Sequence, residues 1–102
     1  MKLTVLERVL AQGLLPEKGS FANLKLIRKA KEALSFNDEE NKGLNFKQDG
    51  DRLSWDEKVV SDREIELGEV VTEIIKKELR KLDEKEELLP QQESLYVKFI
   101  GE

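Results

Sequence analysis

Between Leu44 and Trp55 the apolar residues of this chain stop recurring every three or four positions and begin to alternate with polar ones. Leu44, Phe46, Leu53 and Trp55 flank Asp49-Gly50, a dipeptide suited to two-residue hairpin turns because it tolerates the positive φ angles they need. A turn at Asp49-Gly50 sets Gln48 opposite Asp51, Phe46 opposite Leu53 and Leu44 opposite Trp55. All four large apolar side chains then share one face, where cross-strand pairs contribute about 0.2–1 kcal/mol each. Helical periods lie on both sides of this segment, so the chain is restricted to an α+β fold.

The preceding helices are well marked. Met1-Lys2-Leu3-Thr4 leads directly into a helical pattern, and Thr4-Val5-Leu6-Glu7 reads as a capping box. The predicted helix runs over 5–12, with Leu6, Val9 and Leu10 on its apolar face. Gly13 offers a left-handed exit, Pro16 prevents resumption, and Leu14-Leu15 tuck behind the helix. Ser20 caps a second helix over 21–34, whose stripe is Leu24, Ile27, Ala30 and Leu34. Ser35-Phe36-Asn37-Asp38 repeats a cap-like pattern before a short helical turn over 37–42, ended by Gly43.

After the hairpin, Val59-Val60 and Arg63-Glu64-Ile65-Glu66-Leu67 predict a third strand, with Ile65 and Leu67 inward and Gly68 as its stop. The longest helix follows over 69–87 on a stripe of Val70, Val71, Ile74, Ile75, Leu79 and Leu82. Glu73 and Lys77 form a favourable pair four residues apart on it. Beyond Leu82 the stripe fades into Asp83-Glu84-Lys85-Glu86-Glu87, which predicts a protruding end. After Pro90, Leu95, Tyr96, Phe99 and Ile100 fit a terminal helix better than an edge strand. The expected architecture is a single compact α+β domain over 1–102. Its helices pack on a small three-stranded antiparallel sheet, in the order helix, helix, short helix, hairpin, strand, long helix, helix. The first, second and long helices cover the face holding Leu44, Phe46, Leu53, Trp55, Ile65 and Leu67.

Composition narrows the function. The chain has no His and no Cys, although charged residues make up 39% of it. The side chain that titrates near neutrality, the thiol nucleophile and the commonest transition-metal ligands are therefore missing. Carboxylates alone would need an enclosing pocket that separates their pKa values, and here they occupy polar positions of amphipathic elements. Asp49, Asp51, Asp56 and Glu57 surround the hairpin turn, but Arg52 and Leu53 stand where a calcium loop requires oxygen ligands. No phosphate-cradling glycine loop occurs. The expectation is a non-enzymatic protein without cofactor or metal. No stretch approaches the roughly 18 apolar residues that span a bilayer, and a Cys-free, Lys/Glu-rich composition without a secretory signal is expected in the cytoplasm.

The net charge of −4 is unevenly spread. Residues 1–34 carry seven basic and three acidic side chains, whereas residues 35–102 carry eleven basic and nineteen acidic ones. Lys25, Arg28 and Lys29 share one side of the second helix, with Lys31 and Lys18 nearby, as a candidate patch for phosphate or an acidic partner. The element order also suits a winged-helix DNA-binding regulator using that basic face. Against it, the segment that would enter the major groove is Asn37-Asp38-Glu39-Glu40-Asn41, whose acids phosphates would repel. Lys47 and Arg52 on the hairpin offset this only in part. Tyr96, Phe99 and Ile100 form the candidate partner-binding face, by helix-in-groove packing or exchange between subunits, unless they dock on their own domain. Trp55 is read as the hairpin's core anchor.

Met1-Lys2-Leu3-Thr4-Val5-Leu6-Glu7-Arg8, Leu14-Leu15-Pro16, Ile65-Glu66-Leu67-Gly68-Glu69 and Ser94-Leu95-Tyr96-Val97-Lys98-Phe99, in that order, resemble small uncharacterised proteins encoded by bacteriophages and prophages. The resemblance implies expression inside an infected bacterium and carries no activity or site residues with it. The function expected is binding of another protein, host or viral, or a part in assembly, with self-association as one form of it. DNA binding is the alternative.

Overall fold

The computed structural model describes residues 1–50, 52–56, 58 and 62–101. Its elements are β1 (Lys2–Leu3), α1 (Val5–Leu14), α2 (Phe21–Leu34), α3 (Asp38–Leu44), β2 (Lys47–Asp49), β3 (Arg52–Ser54), β4 (Arg63–Glu64), α4 (Glu69–Glu84) and α5 (Glu93–Phe99). A 3₁₀ turn over Pro90–Gln92 leads into α5. The class is α+β, and the helices dominate it.

Local chemistry explains most boundaries. Thr4 and Glu7 form a reciprocal capping box, with Thr4 N–H donating to Glu7 Oε1 at 2.9 Å and Glu7 N–H to Thr4 Oγ1 at 3.2 Å. Ser20 Oγ accepts from Asn23 N–H at the start of α2. Asn37, rather than Ser35, caps α3, in a second box with Glu40. Ser35 instead closes the C-terminus of α2. Gly13 stays inside α1, which continues to Leu14, and the left-handed exit of α3 falls on Asn45 at φ 51° rather than on Gly43. Gly68 opens α4 at φ 80°, ψ 165°, a region that residues with a Cβ avoid.

The core lies between α1, α2, α4 and α5. Helix α4 touches the other three and contributes Val71, Ile75 and Leu79, all at most 2% exposed. Ala11 from α1, Leu15 just after it, Ile27, Ala30 and Leu34 from α2, Leu95 and Phe99 from α5, and Ile65 and Leu3 pack with them. Four helices that cannot bury their stripes alone bury them against one another, which is where the roughly 25 cal/mol per Å² of apolar burial accrues. Of the long stripe on α4, Val70 remains 45% exposed. Glu73 pairs with Lys76 at 3.5 Å, three residues on, instead of with Lys77.

The sheet differs from the expected three-stranded meander. Two separate two-stranded antiparallel sheets form: β1 with β4, and β2 with β3. The residues before the Thr4 cap of α1 thus form a short strand, which the sequence pattern does not mark. Lys2 pairs with Glu64 and Leu3 with Arg63, which places Leu3 and Ile65 in the core. The hairpin pairs Lys47 with Ser54, Gln48 with Leu53 and Asp49 with Arg52. The turn therefore lies one position later than Asp49-Gly50, with Gly50 at φ 62°. That register sets Phe46 beside Trp55, rings 5.9 Å apart, while Phe46 also meets Phe36 at 4.8 Å. Tilted aromatic contacts across this corner outweigh the aliphatic pairing expected from alternation. The hairpin consequently hangs beside the helical core instead of beneath it, and Leu53 stays 37% exposed. Gln48, expected opposite Asp51, thus pairs with Leu53 instead, and the Val59-Val60 start of the third strand lies outside the described residues.

Candidate functional site

Helix α1 turns the opposite side inward from the one its leucines mark. Leu6 is 37% exposed and Val9 and Leu10 are half-buried, whereas Glu7, Arg8 and Ala11 are buried. Arg8 is wholly enclosed. Its Nε donates to the Leu34 carbonyl at 3.2 Å, its Nη2 to the Ser35 carbonyl, and its Nη1 to Glu40 Oε2 at 2.5 Å. The guanidinium carbon sits 4.0 Å from the Phe36 ring centroid. One planar fork therefore donates to the carbonyls at the end of α2, reaches the capping-box glutamate of α3 and stacks on an aromatic, which a lysine could not do. Arg63 of β4 joins Glu40 from the other side at 3.2 Å.

Glu7 is the second buried charge. Lys98 of α5 donates to Glu7 Oε1 at 2.6 Å and to the Lys2 carbonyl at 2.8 Å, tying both ends of the chain together. Burial alone would raise the Glu7 pKa. The Lys98 ammonium, the Thr4 amide and the Ser94 hydroxyl more than offset that and hold the carboxyl below the usual carboxylate value. Glu7 Oε2 makes no hydrogen bond of good geometry, so Ser94 favours the charge from nearby without closing one. Both buried networks are occupied in joining elements of the fold.

The basic candidates lie elsewhere and are all exposed. Buried Ile27, Ala30 and Leu34 define the inward side of α2, and Lys25, Arg28 and Lys29 project from the outer side. They make no ion pair with any described residue. Phe21 stands four residues before Lys25 and seven before Arg28, on the same outer stripe, and is 87% exposed. Leu24, read as part of the inward stripe, is 38% exposed and lines a shallow groove with Phe21, Lys25 and Arg28. Phe21 goes unmarked by the pattern around it because a single aromatic on the wrong side of a helix does not disturb its period. The available signal was that an apolar residue occupied a polar position.

The C-terminal candidates divide. Phe99 is 4% exposed and belongs to the core, so it is closed to any partner. Tyr96 and Ile100 are half-buried and pack against that core. The accessible apolar surface here is instead Leu89 and Val97, 50% and 44% exposed, on a groove shared with Leu88, Pro90, Glu93 and Tyr96. Tyr96 Oη lies 3.3 Å from Asp83 Oδ2; partial burial and that carboxylate raise the phenol's pKa.

Helix α3 directly precedes the β2–β3 hairpin, where a winged-helix reading would need a recognition helix. Asp38 and Glu39 face solvent from it, and Glu40 is engaged with Arg8 and Arg63. Among the described residues no cluster of three or more acidic side chains could hold a metal ion. Among the described residues no helix is long and apolar enough to cross a membrane. Comparison of the chain with protein families, curated proteins and solved structures returns no match.

Proposed function

We propose that this protein is a small, non-enzymatic protein-binding module that docks an acidic, partly apolar protein surface on the outer ridge of α2. The observation that carries this reading is Phe21, a large aromatic 87% exposed and contributing nothing to its own core, set beside Lys25 and Arg28. An aromatic anchor with unpaired cations around it has the composition of an interface hot spot, where aromatics and arginine dominate. Protein is favoured over nucleic acid because Glu32 interrupts the same stripe and the chain is acidic as a whole, at −4. The resemblance to phage-encoded proteins supports action in the cytoplasm of an infected bacterium, on a host or viral protein or in assembly.

The test is a pull-down from bacterial lysate in which tagged and untagged chain are both wild type, both Phe21→Ser or both Lys25→Glu/Arg28→Glu, each with and without nuclease. A stoichiometric protein that survives nuclease and is lost from both variants is expected. Loss of all captured material on nuclease treatment would replace this reading with nucleic-acid binding through the same basic face. All three positions are exposed, so the variants are expected to melt within about 0.5 kcal/mol of wild type.

A further inference from the structure

The ridge on α2 has a counterpart on this same molecule. The groove of Leu88, Leu89, Pro90, Glu93, Tyr96 and Val97 encloses about 320 Å³ and is open to solvent. Its two most exposed members, Leu89 and Val97, are large apolar side chains left uncovered by the fold. The segment leading to it, Asp83-Glu84-Lys85-Glu86-Glu87, is exposed and strongly acidic, and Glu93 stands in its wall. The ridge offers the complement: one projecting aromatic ring, flanked by Lys25, Arg28 and Lys29. Ridge and groove lie on different elements, since α2 packs on α1 and α4 while α5 packs on α4, α1 and the 3₁₀ turn.

Building on the reading that the α2 ridge docks a protein, we propose that its occupant is a second copy of this chain, with Phe21 of one molecule seated in the Leu89/Val97 groove of the next. Apolar knob meets apolar socket, and the basic rim of the first meets the acidic rim of the second. The charge division along the chain, seven basic to three acidic over residues 1–34 and eleven to nineteen over 35–102, has the same sense as this local complementarity. Nothing outside this chain has to be invoked to supply either half. A single aromatic anchor with a charged rim belongs to the small, transient class of interfaces, so association is expected at roughly 10–500 µM.

Sedimentation velocity from about 10 µM to 1 mM reads this directly, starting from the 11.8 kDa monomer. Wild type is expected to gain mean mass with concentration, and to lose affinity several-fold between about 50 and 500 mM salt. Phe21→Ser alone and Leu89→Ser/Val97→Ser alone are expected to remain monomeric, because each lacks one half of the contact. An equimolar mixture of the two still contains one intact knob and one intact socket, and is expected to form a 1:1 dimer. A wild type that stays monomeric throughout, an assembly that persists in Phe21→Ser, or a mixture that fails to recover the dimer would each overturn the proposal. A monomeric wild type that still captures a different acidic protein through Phe21 would overturn it while leaving the protein-docking reading standing. Binding of a single-stranded oligonucleotide probe by a monomeric wild type, lost in Lys25→Glu/Arg28→Glu, would overturn both.

Discussion

Replacing Arg8 tests whether one guanidinium holds three parts of this fold together. Arg8→Ala removes hydrogen bonds to the Leu34 and Ser35 carbonyls, both contacts to Glu40, and the face of Phe36. Hydrogen bonds to a charged donor contribute about 1.5–3 kcal/mol each, and breaking a buried pair by deleting one partner costs about 3–5 kcal/mol. These figures overlap because the same group makes both interactions. Two features moderate the loss. Gln12 Nε2 also donates to the Leu34 carbonyl at 3.1 Å, and Glu40 keeps Arg63 and its capping bond to Asn37. The expected cost is about 4 kcal/mol, a large share of the 5–15 kcal/mol that a domain of this size has. Urea denaturation with a matched thermal melt measures it, and Tm should fall by about 15–30 °C. Arg8→Lys keeps the charge but loses the planar fork and its stacking, so it should retain only about half of the stabilisation. A cost below about 1 kcal/mol for Arg8→Ala would refute the keystone role. Arg8→Lys as stable as wild type would refute the argument that fork geometry matters.

The Glu7 carboxyl, held below the usual 4.5, adds stability above that pH and loses it as pH falls through the depressed value. Glu7→Gln should therefore lower stability at neutral pH while flattening the decline below about pH 4.5, as followed by urea melts from pH 2.5 to 7. Two glycines should respond in opposite directions. Gly68→Ala forces a Cβ into φ 80°, ψ 165° and should cost about 1–3 kcal/mol, whereas Gly13→Ala lies in α1 with open space around it and should gain about 0.5–1 kcal/mol. Thermal unfolding of the two variants side by side checks both signs.

The buried charges divide the molecule into what is rigid and what is offered to partners. Arg8, Glu40 and Arg63 join α1, α2, α3 and β4, while Glu7 and Lys98 join α1 to α5. Each charge has its partners within the fold, so each specifies an arrangement of elements. The cations at Lys25, Arg28 and Lys29 have no such partner among the described residues, and Phe21 has no place in the core. Groups that the fold does not use are the ones left for association, which is why the functional reading rests on α2 and not on the more heavily bonded interior.

Local chemistry was legible in the residues themselves. The Thr4–Glu7 capping box, the Ser20 cap, the full span of α2, the break at Gly68 and the helical character of the last segment all follow from spacings of four residues or fewer, where backbone and side chain meet without tertiary help. The basic side of α2 was legible for the same reason. What lay beyond the sequence depends on partners distant in the chain. Strand β4 pairs with Lys2–Leu3, some sixty residues away in sequence, rather than with the nearby hairpin, and no local pattern reveals that. The hairpin shifts by one residue because Phe36 and Trp55 capture Phe46. Above all, α1 buries Glu7 and Arg8 and leaves Leu6 half in water. Periodicity ranks residues by their own affinity for water, and on that scale an arginine faces out. Only the assembled fold brings two helix-end carbonyls, a carboxylate and an aromatic ring around one guanidinium, and that enclosure reverses the ranking.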